Sequence, residues 1–217
     1  DRYKDGRQAN YYYIDRSIGG IVRKAGLDKH MAEAWEIFDQ AGLSGKVIVA
    51  RHYHGSPGRG NGKDWNGKYE PLMEVVQTRG FAFGVMESLL SSGIKIGVVG
   101  GCDHSRPPGG VMPWKYPNAL TGLWAKAVSR EEIFAAMQQR RSYATSGKKI
   151  GLIFQMDNHL MGEEYDTDGS PNLHIEAKGT TEIEKIEVIR DGEVILLQTD
   201  CGQHALVNYK DETAKPG

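Results

Sequence analysis

The 217-residue sequence predicts an α/β unit followed by a smaller antiparallel β unit. Through the first two thirds of the chain, short β-branched runs alternate with segments whose apolar residues recur at helical spacing. In the last third the helical period is lost, and apolar and polar residues alternate, as they do over residues 173–178. The pair Asp191-Gly192 joins two such runs and is a strong hairpin signal. We therefore divide the chain into residues 1–146 and residues 147–217.

The predicted elements of the first unit follow one another at short intervals. A helix is expected over residues 28–42, which have helical apolar spacing, an aspartate as N-cap and a glycine as C-terminal stop. Two further helices are expected, one closed by Gly93 and one begun by a capping box at Ser129. The tyrosines at residues 11–13 carry no specific signal. Strands are expected at residues 46–50, 72–76, 94–99 and 120–126. Because parallel strands need a covering crossover, this alternation predicts a parallel sheet.

Composition excludes several classes of protein. The 27 basic and 28 acidic side chains give a net charge of −1 without a basic stripe, which argues against nucleic-acid binding through phosphate neutralisation. The two cysteines lie far apart and do not make a disulfide framework. The apolar runs fall far short of the ~20 residues that span a bilayer. We therefore expect neither nucleic acid nor membrane as a partner.

Candidate metal ligands lie on or just after the predicted strands. His52 and His54 follow the strand at residues 46–50, and positions two apart on a strand project to one face, so both imidazoles can converge on one ion. Two solvated loop histidines are the alternative. Glu74 lies inside the apolar strand 72–76, where a carboxylate requires a cation, a metal or several donors. An ion pair with an arginine or lysine is the alternative for Glu74.

A third predicted strand, at residues 94–99, ends in Asp103 and His104 after a glycine pair. Carboxylate and imidazole are ligands suited to zinc, manganese or iron. A turn-capping Asp103 beside a solvated His104 is the alternative. The C-terminal ends of parallel strands share one rim, where active sites collect. Three strands ending in the same chemistry therefore favour a metal site over independent surface residues.

Arg106 lies two residues beyond His104, in a loop rich in proline and glycine. Its guanidinium is a candidate for holding an anionic oxygen of a substrate. A solvated loop arginine is the alternative.

Six short motifs lie in order along the chain, at residues 100–105, 120–126, 129–134, 140–147, 157–164 and 186–192. As a set they resemble the polymerase and histidinol phosphatase (PHP) superfamily, and within it a branch that appends a β domain to a metal-dependent barrel. The resemblance implies a distorted (β/α)7 barrel with two or three metal ions at its C-terminal mouth, and hydrolysis of a phosphate ester. Residues 1–146 would then be a partial barrel, and residues 147–217 a small antiparallel sheet or sandwich.

The resemblance also implies roles for individual residues. His52 or His54 corresponds to a histidine ligand of the superfamily, Glu74 to its strand carboxylate, and Asp103 with His104 to its late Asp/His motif. The late motif is normally Asp-x-His, so which of the two adjacent residues binds metal stays open here. The opening His-x-His of the superfamily has no counterpart in this chain.

The leading hypothesis is a metal-dependent hydrolase that acts on a small phosphorylated substrate. A bound divalent ion would lower the pKa of a water to ~7 and stabilise charge on the phosphate. His104 and Arg106 are the expected catalytic side chains.

Two alternatives stay open. The chain is a non-catalytic module whose β domain binds a carbohydrate or a protein partner, or it is an incomplete piece of a longer enzyme. A barrel without its first strands would expose sheet edges, and we expect a homo-oligomer as one way to cover them.

Overall fold

The computed structural model describes residues 8–28, 31–52, 65–77, 80–101 and 119–216. The chain divides into two compact units, Asp1–Ser146 and Gly147–Gly217. In the described part of the chain, no helix is long and apolar enough to cross a membrane.

The first unit combines strands with four short helices among its described residues. The helices are α1 (Gly19–Asp28), α2 (Met31–Gln40), α3 (Phe83–Ser91) and α4 (Arg130–Gln138), with a 3-10 turn at Arg16–Ile18. The strands are β1 (Gln8–Tyr13), β2 (Val47–His52), β3 (Leu72–Gln77), β4 (Gly80–Phe81), β5 (Gly97–Gly100), β6 (Leu120–Leu123) and β7 (Ser142–Thr145). The predicted helices and strands are confirmed apart from their ends, whereas β1, β4, β7 and α1 were not predicted. Asp28 was expected as the N-cap of α2, but it is the last residue of α1.

The principal sheet of this unit is mixed in direction. β2 pairs with β3 and β3 with β5 in parallel, as the alternation of strands and helices predicts. β1, however, runs antiparallel to β2, and β4 runs antiparallel to β3. β6 and β7 form a separate antiparallel pair, which the Ser142 hydroxyl joins to β5 by donating to the Val98 carbonyl at 2.8 Å.

The expected partial (β/α)7 barrel is therefore wrong for the residues that the structure describes. Strands make up 38% of them, helices are few and short, and the sheets do not close. The physical reason for the error is that two strands joined through helices can pair in parallel or antiparallel. The segment from β1 to β2 contains two helices and still returns the chain antiparallel. Helical spacing alone does not encode that choice.

Alternation along the strands gives the principal sheet two buried faces. On β2, Val47 and Val49 pack with the apolar side chains of α1 and α2, whereas Ile48 and Ala50 pack with α4. Met73 of β3 packs with α3 on the face opposite to α4. The sheet is thus covered on one face by α1, α2 and α3, and on the other by α4.

A buried ion pair lies on the face of this sheet that α1, α2 and α3 cover. The Arg51 guanidinium donates from Nε and Nη2 to the two Glu70 carboxylate oxygens, at 2.6 and 2.5 Å, and both side chains are at most 3% exposed. The Glu70 carboxylate also accepts from the backbone N–H of Asn66 at 2.8 Å. The Trp65 indole donates to the Glu70 carbonyl at 2.9 Å. This network holds the segment before β3 against the end of β2.

The second unit is antiparallel throughout its described strands. They are β8 (Gly151–Met156), β9 (His159–Leu160), β10 (Asn172–Lys178), β11 (Lys185–Arg190), β12 (Glu193–Thr199) and β13 (His204–Lys210). A four-stranded sheet has the order β13-β10-β8-β9, and β11 pairs with β12. The predicted hairpin is confirmed: Asp191 and Gly192 both have positive φ, +53° and +83°, as a type I′ turn requires.

Removal of the Glu70 carboxylate tests the energetic role of the buried ion pair. We expect Glu70→Ala to lower the free energy of unfolding by about 3–5 kcal/mol, because the Arg51 charge stays buried without that carboxylate. Urea unfolding measures the loss. Lys68→Ala, which removes the exposed ion pair with Asp39, serves as the control and should cost less than about 1 kcal/mol. Equal losses in the two variants would contradict this account.

Candidate functional site

The structure brings two of the predicted site residues together. His52 and Glu74 are directly paired in the register of β2 and β3. The other predicted residues, His54, Asp103, His104 and Arg106, lie outside the described residues. Within the described ranges, no group of three or more histidine, cysteine or carboxylate side chains is arranged to hold a metal ion.

Strand geometry explains why His52 and Glu74 share one face. Ala50 pairs with Leu72, and both belong to the apolar cluster beneath α4. Two residues further on, the same alternation places His52 and Glu74 on that face, beyond the end of the apolar contacts. On the other side of β3, Glu74 pairs with Val99 of β5. The carboxylate therefore lies at the centre of three parallel strands.

Glu74 is a buried carboxylate with polar neighbours on both oxygens. Its side chain is 1% exposed. Oε2 lies 3.1 Å from Nδ1 of His52, and Oε1 accepts from the Asn10 amide at 3.4 Å. A carboxylate can only accept, so the contact with His52 favours the tautomer that carries its proton on Nδ1. In that tautomer Nε2 carries the lone pair, and the His52 side chain is 12% exposed. A carboxylate that orients a histidine in this way is typical of metal-binding histidines.

Tyr12 responds to the charge of Glu74. Burial, followed by the Glu74 charge, raises the pKa of Tyr12 to about 12, while a hydrogen bond with the Asn10 side chain acts in the opposite direction. The Tyr12 phenol therefore stays protonated at neutral pH. A polar chain thus runs from Tyr12 through Asn10 to Glu74 and His52.

Sequence reasoning missed Asn10 and Tyr12. Residues 11–13 were given no specific role, although they form part of the edge strand β1. A signal existed, because three consecutive tyrosines have high strand propensity. The polar Asn10 lies two residues before Tyr12, which is the strand spacing that puts both on one face.

Gly101 is adjacent to the Glu74 carboxylate. Its backbone N–H donates to the Val76 carbonyl at 3.0 Å, which extends the pairing of β5 with β3. A Cβ atom at residue 101 would overlap Oε1 of Glu74. A side chain at residue 101 would therefore require the buried Glu74 carboxylate to move, whereas the backbone there is not left-handed.

A polar concavity of about 790 Å³ lies within the second unit. Gln155, His174 and Asn208 are side by side in the register of β8, β10 and β13, on the face opposite to the apolar core. Nδ1 of His174 lies 2.8 Å from the Asn208 amide oxygen. The remaining lining residues are mostly polar: Asp157, Asn158, Asn172, Leu173, Tyr209 and Lys210.

Asp157 is a fixed carboxylate at one end of this concavity. The backbone N–H of Asn172 donates to it at 2.8 Å and the Tyr165 hydroxyl at 3.0 Å. These hydrogen bonds, led by the one from the Asn172 backbone, lower the pKa of Asp157 below its usual value. The concavity therefore combines one anionic group with amide, imidazole and ammonium groups.

Substitution of Gly101 tests the close approach to Glu74. We expect Gly101→Ala to lower the free energy of unfolding by about 1–3 kcal/mol, because the new methyl group must displace the buried carboxylate or the backbone. Thermal or urea unfolding measures the change. Gly84→Ala is the matched control, since no atom lies within 4 Å of a Cβ at that helical position, and it should be neutral or stabilising. A neutral Gly101→Ala would refute the steric requirement.

Comparison with known proteins finds relatives without an assigned activity. A family model described as a protein of unknown function (DUF3604) matches residues 108–181, about a third of the chain. The chain is 32% identical over 105 residues to an uncharacterized protein of Chlamydia muridarum (strain MoPn / Nigg), which covers 46% of this chain and 17% of that protein. An uncharacterized protein of Chlamydia trachomatis serovar D is 32% identical over 103 residues, with 45% and 17% covered. No solved structure matches. The matched part of the chain thus spans about a sixth of the length of these relatives.

These findings overturn the resemblance to the PHP superfamily. The matching family model carries no assigned function, and no model of that superfamily matches. The mixed sheets described above are not those of its barrel. The motifs behind the resemblance are short turns, caps and strand ends, which recur on many folds because they satisfy the same local backbone requirements.

Proposed function

We propose that this chain contributes to a divalent-metal-dependent hydrolase, with the ion bound where β2, β3 and β5 end. The observation that carries the proposal is the buried contact between Glu74 and His52. Burial of a carboxylate that is 1% exposed lowers the free energy of unfolding unless its interactions offset the lost hydration. Buried charged groups of this kind, here beside a histidine at a strand end, cluster at functional sites. In this proposal His52 binds the metal through Nε2, and Glu74 either binds it or orients His52.

Further candidate ligands come from the sequence. Gly101 lies beside the Glu74 carboxylate. Asp103 and His104 follow it in the sequence, outside the described residues, and stay candidate ligands of the same ion. His54, two residues beyond His52, is a further candidate ligand.

The proposed reaction is hydrolysis of a small phosphorylated substrate by water. A bound ion would supply a water with a pKa near ~7 and neutralise charge on the substrate. His104 would transfer a proton at the site, and Arg106 would hold an anionic substrate oxygen. The homo-oligomer expected from the sequence stays a prediction.

Neutralisation of Glu74 tests the metal site. We expect Glu74→Gln to lower zinc or manganese affinity at least tenfold, because it removes the carboxylate charge while keeping the side-chain shape. Metal content after dialysis, measured by elemental analysis, gives the readout, and circular dichroism verifies the fold. Glu87→Gln, an exposed carboxylate on α3, is the matched control and should retain the metal. Stoichiometric metal in Glu74→Gln, or none in the wild type, would refute the proposal.

A second candidate function belongs to the β unit, which we propose as a carbohydrate-binding module. The polar concavity on its sheet supports this, because amide side chains donate and accept at once and so suit pairs of hydroxyl groups. The volume of the concavity, about 790 Å³, suits a ligand of one or a few sugar units.

A panel of immobilised neutral oligosaccharides tests the second candidate. The wild type should bind at least one member, and Asn208→Ala should weaken that binding about tenfold through the loss of hydrogen bonds. Gln198→Ala removes an exposed amide from β12, outside the concavity, and should have no effect. Absence of binding across the panel would contradict this function and leave the metal-site proposal unaffected.

A further inference from the structure

We propose that a cavity of about 540 Å³ in the first unit binds a small organic anion, with a phosphate or carboxylate group on an apolar body. The cavity lies between β1 and α4. Its lining residues are Tyr11, Tyr12, Tyr13, Arg16, Arg130, Ile133, Phe134 and Met137. The volume falls within the ~300–1,000 Å³ that is usual for small-molecule sites.

Two arginines give the cavity its charge preference. Arg16 and Arg130 both line it and are exposed, whereas none of its described lining residues is a carboxylate. Arg130 donates from Nη1 to the Tyr13 carbonyl at 3.4 Å, which leaves most of its five N–H groups for a ligand. Asp15 lies close by but does not line the cavity: its carboxylate accepts from the Ser17 backbone N–H at 2.7 Å and caps the 3-10 turn, and it also interacts electrostatically with Arg130. Two guanidinium groups without a lining carboxylate favour an anion.

The helix α4 supplies the apolar wall. Arg130, Ile133, Phe134 and Met137 recur at the spacing of one helix face. Phe134 and Met137 are buried, and Ile133 is half-buried. The helix thus presents a cationic group at its first residue and apolar side chains along the following two turns. A ligand that matches this face has its anionic group next to Arg130 and its apolar part over Ile133.

Strand β1 completes the opposite wall, where Tyr12 lies on the α4 face and Tyr11 and Tyr13 pack on the other face of the sheet. Tyr12 has its pKa raised to about 12, so its hydroxyl is neutral at physiological pH and does not repel an anion. The Glu74 charge contributes to the raised pKa of Tyr12, which places the cavity next to the proposed metal site. The inference nevertheless stands on its own, because no lining residue is a proposed metal ligand.

Calorimetric titration of the full chain with phenylphosphonate tests the proposal. This probe carries an anionic group on an aromatic ring and cannot be hydrolysed as an ester. We expect it to bind at least tenfold more tightly than inorganic phosphate, because the ring adds apolar burial. Arg16→Gln and Arg130→Gln should each weaken binding about tenfold, through the loss of charged hydrogen bonds.

Arg23→Gln is the matched control. It removes the same charge from an exposed position on α1 that does not line the cavity, and it should leave the affinity unchanged. Equal weakening by Arg23→Gln would reduce the effect to net charge and overturn the proposal. So would the absence of phenylphosphonate binding, or an equal affinity for inorganic phosphate.

The two proposals fail in different ways. Glu74→Gln should keep phenylphosphonate binding, whether or not it loses metal. Binding that persists in a wild-type protein without metal or hydrolytic activity would support the anion cavity and contradict only the proposed hydrolase. Loss of anion binding in Arg16→Gln with unchanged metal content would show that the two sites are separable.

Discussion

The buried charge of Glu74 is the constraint on which the arrangement around β3 depends. A carboxylate that is 1% exposed must recover its lost hydration from the protein, and Asn10 and His52 are the neighbours placed to do so. Both come from strands that pair on one side of β3, so β1 and β2 must keep their register. A side chain at Gly101 would displace the same carboxylate, and the charge of that carboxylate adds to the effect of burial in raising the pKa of Tyr12. The Glu74 carboxylate thus connects β3 with residues of β1 and β2 and with the end of β5.

The last two residues of β2, Arg51 and His52, contact buried carboxylates on opposite faces of the sheet. Arg51 points to the face covered by α1, α2 and α3, where it pairs with Glu70, while the next residue, His52, points to the α4 face and meets Glu74. Each face therefore buries a carboxylate in contact with a residue of β2. A shift of β2 by one residue would move Arg51 and His52 to the opposite faces of the sheet and break both pairs. These two contacts together specify the register of the sheet.

Much of the local structure could be predicted from the sequence, whereas the arrangement of the sheets could not, and the predicted barrel was wrong. Ser129 accepts from the Glu132 N–H at 3.2 Å, which confirms the predicted capping at the start of α4. Asp191 and Gly192 form the predicted hairpin. These signals act over a few residues and depend on backbone geometry alone. The direction of β1 depends on its pairing with β2, more than thirty residues away, and no local pattern specifies it.

The candidate site shows the same division. Glu74 was singled out because a carboxylate within an apolar run is a chemical anomaly visible in the sequence, and His52 because it ends the neighbouring strand. The sequence by itself thus determined the alternation of elements, the antiparallel character of the last third, and the two residues at the centre of the site. The tertiary structure decided the mixed direction of the sheet, and it brought Asn10, Tyr12 and Gly101 to Glu74. It also formed the arginine-lined cavity between β1 and α4. The physical reason is that strand pairing and helix packing join residues far apart in the chain, where the energy depends on contacts that local sequence does not encode.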